Sequence, residues 1–237
     1  MDTMRRSIVS FVAVCLFVVL SDLSAFATER PNVIVIMADD LGAEGLACYG
    51  SRIYTTPNLD RMAAEGQRFN NAYATPLCTP TRVMLMSGLY PNRTGFQALI
   101  GRDEDVRLPS EIKTFGHYFR EAGYRTAITG KWQLGQFDQF PDQPVEHGFD
   151  KYCMWTWQYA GKKSSRYYAP QIYRDGKVFD GSSSDFGPDY YSRFLLDFID
   201  ESKSEPFFIY YPMALVHSPF INPPELEALA QSRFTDD

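Results

Sequence analysis

Outside its first thirty residues, the longest unbroken apolar run of the chain is Val33-Ile34-Val35-Ile36-Met37-Ala38. The absence of polar alternation predicts a strand buried on both faces, as in a parallel sheet, rather than one with a wet side. The run stops at Asp39-Asp40. Thr56-Pro57 then opens a helix through Leu59, Met62 and Ala63 that Gly66 closes, with cap, first-turn proline and terminating glycine in their expected places. Gln67 to Ala74 predicts a second strand, followed by a loop carrying Cys78 and a helix from Pro80.

A further unit repeats the pattern. Thr114 caps a helix with Phe115, Tyr118, Phe119 and Ala122 on one side, Gly123 ends it, and Tyr124 to Thr129 form a strand that delivers Gly130-Lys131-Trp132. The stretch from Gly135 to Gly187 is rich in Gly, Pro, Ser, Tyr and Asp and has little periodicity, which predicts excursions at the mouth of a site. Tyr190 to Ile199 reads as a helix, and Phe207 to Tyr211, between Pro206 and Pro212, as another buried strand, followed by His217-Ser218-Pro219.

Alternating helices and strands predict an α/β fold: a mainly parallel sheet flanked by helices on both faces, joined by right-handed crossovers. In such sheets ligands collect beyond the carboxyl ends of the strands. Asp39-Asp40, Lys131 and His217 each follow a different predicted strand, so residues far apart in sequence converge on one rim. At 237 residues, with no internal repeat or linker, the chain reads as one large domain or part of one.

The first residues call for a separate reading. Arg5-Arg6 precede an apolar run from Ile8 to Leu20, and Ala25-Phe26-Ala27 offers a small-x-small cleavage site, the features of a secretory signal peptide over residues 1–27 cut after Ala27. The run is shorter than the roughly 20 residues of a spanning helix, so the expectation is a secreted or periplasmic protein with no stable membrane anchor. Cleavage removes two acidic and two basic residues and leaves the formal charge at −6, with no basic patch that would suit nucleic acid. It also leaves Cys48, Cys78 and Cys153, an odd number that singles out one thiol with its own chemistry. Spacing does not decide whether Cys48 and Cys153 pair.

Adjacent carboxylates at a strand end repel each other unless a cation neutralises them, so Asp39-Asp40 suggests a metal site for a hard ion such as Ca²⁺ or Mg²⁺. In Cys78-Thr79-Pro80-Thr81-Arg82 a thiol precedes a proline-started helix, with a guanidinium about one turn on. The positive field of a helix N-terminus stabilises anions and activated nucleophiles there. Lys131 after Gly130 places a point charge where the backbone permits close approach. Of the three histidines, His117 and His147 fall in a helix and a loop and read as structural; His217 follows a buried strand, where an imidazole is suited to proton transfer near neutral pH. The aromatic set Tyr152, Trp155, Trp157, Tyr159, Tyr167 and Tyr168 could equally stack on sugar or aryl rings or pack the loops. Asn92-Arg93-Thr94 fits a glycosylation sequon but is read as coincidental.

The Cys78 to Arg82 pentapeptide matches the Cys-x-Pro-x-Arg signature of the sulfatase family, and the run Val83 to Gly95 resembles its continuation. Thr129-Gly130-Lys131-Trp132-Gln133-Leu134-Gly135 resembles the family segment Thr-Gly-Lys-Trp-His-Leu-Gly, and His217-Ser218-Pro219 its His-x-Pro. The resemblance, in pieces from about Pro31 to Pro219, implies an alkaline phosphatase-like fold and hydrolysis of sulfate esters. It implies a formylglycine made from Cys78 by a maturation enzyme, whose hydrated aldehyde attacks sulfur and later expels the sulfate. Asp39, Asp40 and the modified Cys78 would ligate Ca²⁺ in preference to Mg²⁺, Arg82 would support the aldehyde, and Lys131 and His217 would contact the sulfate, with His217 protonating the leaving oxygen. The substrate implied is a sulfated small molecule or glycan. Gln133 departs from the family histidine: an amide can position a hydroxyl but carries no proton at neutral pH, so it supports orientation only or lowers turnover. The family's remaining metal ligands, on an Asp-Asn pair, lie beyond the equivalent of Asp237, which reads as a truncated C-terminus. Two other readings stay open: a phosphate or phosphonate ester hydrolase of the same superfamily, or an inactive, truncated relative that binds sulfated ligands.

Overall fold

The structure, a computed structural model, describes residues 30–100 and 105–226. The expected leader at 1–27 lies outside the described residues. One six-stranded sheet organises the body that begins at Asn32. Its edge strand β1 (Val33–Met37) pairs in parallel with β8 (Phe207–Pro212), which is parallel to β2 (Arg125–Lys131) on its other side. β2 is parallel to β3 (Lys151–Trp155), and there the direction changes: β6 (Gln171–Arg174) and β7 (Lys177–Asp180) continue the sheet antiparallel. A two-stranded ribbon, β4 (Gln158–Tyr159) with β5 (Lys162–Lys163), stands apart. The helices are α1 (Pro57–Glu65), α2 (Cys78–Ser87), α3 (Pro91–Thr94), α4 (Phe115–Glu121), α5 (Gln143–Glu146) and α6 (Gly187–Glu201).

Successive side chains of a strand point to opposite faces, and in the central strands both sets are apolar. Phe208 and Tyr210 of β8, Ile128 of β2, and Tyr152 and Met154 of β3 join Val83 and Met86 of α2 in one core, with Phe115 and Phe119 of α4 packed against it. Phe207, Ile209 and Tyr211, with Ala127, Cys153 and Trp155, join Tyr191, Phe194 and Phe198 of α6 in a second core. Helices therefore cover both faces of β8, β2 and β3, whereas β1, expected to be buried on both faces, is an edge strand whose Ile34 and Ile36 are exposed.

α1 runs between Thr56 and Gly66 as expected, and Thr114 and His117 form a reciprocal capping box at the start of α4. β2 extends two residues beyond the predicted Thr129, so Lys131 is itself the last residue of the strand. Gly130, at φ +114°, allows this: a Cβ there would come within 2.2 Å of the Pro212 carbonyl oxygen.

Three expectations are corrected. Residues 67–74 are not a strand; every one is exposed, including Phe69 and Tyr73, and among the described residues no strand lies alongside to complete their hydrogen bonds. α2 begins at Cys78 rather than Pro80, with Leu77 as the extended residue before it, so the thiol belongs to the helix and the proline sits in a first turn, where no intrahelical bond is lost with its missing N–H. Residues 135–187 are not all excursion: they contain β3, β6 and β7 of the main sheet. β6 and β7 are joined by Asp175-Gly176, both at positive φ, the two-residue turn that favours Asp-Gly.

Candidate functional site

The carboxyl ends of β1, β2 and β8 meet the N-terminus of α2 at one rim. Beyond β1, the Asp39 N–H donates to the Leu215 carbonyl at 2.7 Å and the Val216 N–H donates to the Asp39 carbonyl at 2.8 Å. These two bonds extend the β1–β8 pairing and bring Asp39 and the His217 loop together. Asp40 then takes a left-handed backbone, φ 61°, a conformation that aspartate tolerates better than most side chains. Asp39 is 5% exposed and Asp40 is 59% exposed, so neighbouring carboxylates occupy contrasting media.

Asp39 is the hub. Lys131 Nζ donates to its Oδ2 at 2.6 Å, and the Cys78 thiol donates to Oδ1 at 3.4 Å. Arg82 Nη2 stands 3.7 Å from Oδ1 and Arg166 Nη1 3.9 Å from Oδ2. Lys131 Nζ is also 3.5 Å from Cys78 Sγ, and Arg82 Nη1 donates to the Lys131 carbonyl at 2.5 Å, tying α2 to the end of β2. Asp39, Asp40, Cys78, Thr81 and Arg82 line a cavity of about 250 Å³. His217 enters from the β8 side: its ring nitrogen, the Cys78 sulfur and an Asp39 oxygen all lie within 4.8 Å of one another, and Nε2 is 3.5 Å from Asp40 Oδ2.

Burial alone would push the Asp39 carboxyl up, but Lys131 and Arg82 outweigh it and hold the group below its ordinary range. Lys131 is pushed down by burial and by Arg82, against the pull of Asp39. Burial, together with Asp39, pushes the Cys78 thiol up despite Lys131, so the unmodified side chain is a thiol rather than a thiolate nucleophile. Three cations face one buried carboxylate. Moreover, Arg82 Nε and Nη2 and Arg166 Nη1 are buried donors without a hydrogen-bond partner. Of these, Arg82 lines the cavity, and an unspent cationic donor there is suited to an oxyanion.

The oxygen donors present are the Asp39 and Asp40 carboxylates, which line one cavity because the left-handed Asp40 turns the chain there. They fit part of the shell of a hard divalent ion, which takes six or more oxygens. Gln133 is near but differently engaged. Its backbone is left-handed, φ 56°, its carbonyl accepts from Thr79 Oγ1 at 3.2 Å, and its buried Oε1 has no partner.

His117 caps α4, and His147 is fully buried with Nε2 3.2 Å from the Leu108 carbonyl; burial lowers its pKa to about 4. Tyr152, Trp155 and Tyr167 are buried packing residues, while Trp157, Tyr159 and Tyr168 are half-buried. Cys48, Cys78 and Cys153 are all free. Arg166 is the site residue that sequence reasoning missed. It lies in no motif, and its only signal is a basic residue before the aromatic pair Tyr167-Tyr168.

At the carboxyl edge of the parallel half of this α/β sheet, Lys131, Arg82 and Arg166 thus surround Asp39. The family model described as Sulfatase matches residues 31–237, and the chain belongs to that family. Human N-acetylgalactosamine-6-sulfatase is 33% identical over 233 residues, covering 89% of this chain and 44% of that protein. The N-acetylglucosamine-6-O-sulfatase of Bacteroides thetaiotaomicron is 33% identical over 193 residues, covering 80% and 31%. The structure of BT4656 in complex with its substrate D-glucosamine-2-N,6-O-disulfate superposes with a TM-score of 0.71 at 28% identity, covering 86% of this chain and 38% of that one. Ps i-CgsB superposes with a TM-score of 0.74 at 29% identity, covering 85% and 48%. These neighbours carry the alkaline phosphatase-like fold. The chain spans less than half the length of each of these relatives.

Proposed function

We propose that the protein hydrolyses sulfate esters, on a sulfated glycan or small molecule, at the pocket around Cys78, and that Cys78 is converted to formylglycine by a maturation enzyme. The observation that carries this reading is the convergence of Cys78, Asp39, Arg82 and Lys131 within hydrogen-bond or ion-pair distance in a chain of the sulfatase family. The glycan preference rests on relatives named for 6-sulfated amino sugars. A thiol kept protonated by burial is a poor nucleophile, which favours the modified residue as the reacting group. The aldehyde hydrate, once formed, supplies the attacking oxygen. A divalent ion, Ca²⁺ in preference to Mg²⁺, would be held by Asp39 and Asp40 and the modified residue 78, and supplies charge stabilisation for the sulfate oxygens.

The remaining work falls to the chain itself. Lys131 and Arg82 hold the anionic oxygens, and burial of both strengthens that hold. His217, beside Asp40 at the open side of the pocket, protonates the departing oxygen. Gln133 sits against the first turn of α2 through its carbonyl and orients without exchanging a proton. Export through the leader at 1–27 is part of the same reading; among the described residues no helix is long and apolar enough to cross a membrane.

The test is mass analysis of the peptide containing residue 78 after co-expression with a formylglycine-generating enzyme, paired with turnover of an aryl sulfate and an aryl phosphate. A loss of about 18 Da, the change from CH₂SH to CHO, with sulfate turnover is the expected result. An unmodified thiol, or faster release of phosphate, counts against it. Calcium titration of the same material reads the metal directly; no binding at millimolar Ca²⁺ removes the ion from the proposal.

A further inference from the structure

Arg166 is held as if its position mattered. Its side chain is 14% exposed, and its guanidinium stands 5.0 Å over the ring of Trp155 at the end of β3. Such stacking fixes the plane of an arginine fork at little entropic cost. The backbone is pinned as well. The hydroxyl of the next residue, Tyr167, bonds the His217 carbonyl and lies 3.3 Å from that of Ala214. The Gly187 N–H donates to the Tyr167 carbonyl at 2.8 Å, and a Cβ on Gly187 would stand 2.7 Å from the Arg166 carbonyl oxygen.

This anchoring leads to an unspent donor. Arg166 Nη1 is buried and makes no hydrogen bond; its approach to Asp39 Oδ2, at 3.9 Å, is too long for one. The hydrogen bond to Asp39 Oδ2 comes instead from Lys131, at 2.6 Å. A buried guanidinium N–H without a partner is costly, and the cost falls when an anion supplies the acceptor. We propose that Arg166, which stands beside the cavity-lining Asp39, is an oxyanion-binding residue, donating from Nη1 to an oxygen of the tetrahedral sulfuryl group that Lys131 also holds.

The inference rests on the sulfate-ester reading, and its test separates the two. Inorganic sulfate is titrated calorimetrically at constant ionic strength into the wild-type protein, Arg166→Gln, Arg166→Lys and Gly187→Ala, alongside aryl sulfate kinetics. Arg166→Gln is expected to weaken sulfate binding by about tenfold or more and to raise KM. Arg166→Lys, which keeps the charge and loses the fork and stack, is expected to fall between it and the wild type. Gly187→Ala, which retains the guanidinium but displaces its backbone, is expected to weaken sulfate binding too. The ligand-free melting temperature identifies any variant that has not folded, and the remaining variants then decide. Sulfate bound equally by the wild type and the folded variants overturns the role of Arg166 and leaves the functional reading standing. Absence of both sulfate binding and aryl sulfate turnover in the wild type overturns both.

Discussion

Lys131–Asp39 and Lys162–Asp180 are the same chemical pair at nearly the same distance, 2.6 and 2.9 Å. The first lies at the carboxyl end of the parallel half of the sheet with side chains 2% and 5% exposed; the second links the separate β4–β5 ribbon to β7 of the antiparallel half with side chains 62% and 59% exposed. In water, screening and side-chain entropy leave such a pair worth little. In the interior each partner has lost its hydration, so removing one strands the other. The contrast extends to whole strands. β8 is buried from end to end, whereas β7 has exposed ends and a half-buried middle. The parallel half concentrates charge where it is expensive, and the candidate site is there.

The largest expected effect separates chemistry from stability. Cys78→Ala is expected to reduce aryl sulfate turnover on the order of 10⁴-fold or more while leaving the melting temperature nearly unchanged. A comparable residual rate would remove residue 78 from the reaction. Lys131→Ala comes next, because it leaves Asp39 ionised and buried without its short partner. A loss of about 3–5 kcal/mol in denaturant unfolding is expected. A cost no larger than that of a surface substitution would mean that the two ion pairs are equivalent after all.

The third measurement tells a buried neutral group from the buried pair. Folded His147 takes a proton only near pH 4, whereas the unfolded side chain takes one near 6.5, so the unfolded state binds more protons between these values. Stability should therefore fall as the pH drops from 6.5 to 4, by about 3 kcal/mol in total from this group. His147→Gln, which can still donate to the Leu108 carbonyl, should flatten that window. The Asp39 carboxyl, lowered from 3.8, contributes stability that is lost only below that value, so its window is separate. An unaltered pH profile in His147→Gln would assign the loss elsewhere. The smallest expected effect belongs to the exposed pair: Lys162→Ala should leave the melting temperature unchanged within error, and a clear drop would show that the antiparallel half depends on it.

What could be read from the sequence follows the same division. β1 and β8 announce themselves as apolar runs with sharp ends, α1 has a first-turn proline and a closing glycine although Thr56 makes no capping bond, and α4 carries a capping box, so local chemistry suffices to find them. Asp39, Cys78, Arg82, Lys131 and His217 stand in recognisable motifs, and the structure brings them together. β3 was hidden because Lys-Tyr-Cys-Met-Trp has neither alternation nor a β-branched residue; its burial on both faces is imposed by neighbours far away in sequence. Asp175-Gly176 is a local hairpin signal, but it stands within a stretch whose Gly, Pro and Ser content otherwise predicts loop. Residues 67–74 differ the other way: only Phe69 and Tyr73 favour a strand, Asn70 and Asn71 oppose one, and no described strand adjoins them. Arg166 had no sequence signal of its role, because its meaning comes from Trp155, Tyr167 and Asp39, three partners on different elements.

The place of β8 between β1 and β2 has a consequence for how the protein is made. Among the described residues β1 pairs only with β8, so a strand made early must wait for one about 170 residues later before its hydrogen bonds close. A nascent chain on the ribosome therefore holds Asp39 and Cys78 apart from their final geometry until residues near 217 have emerged, and any enzyme that acts on Cys78 before then meets an open segment rather than a finished pocket.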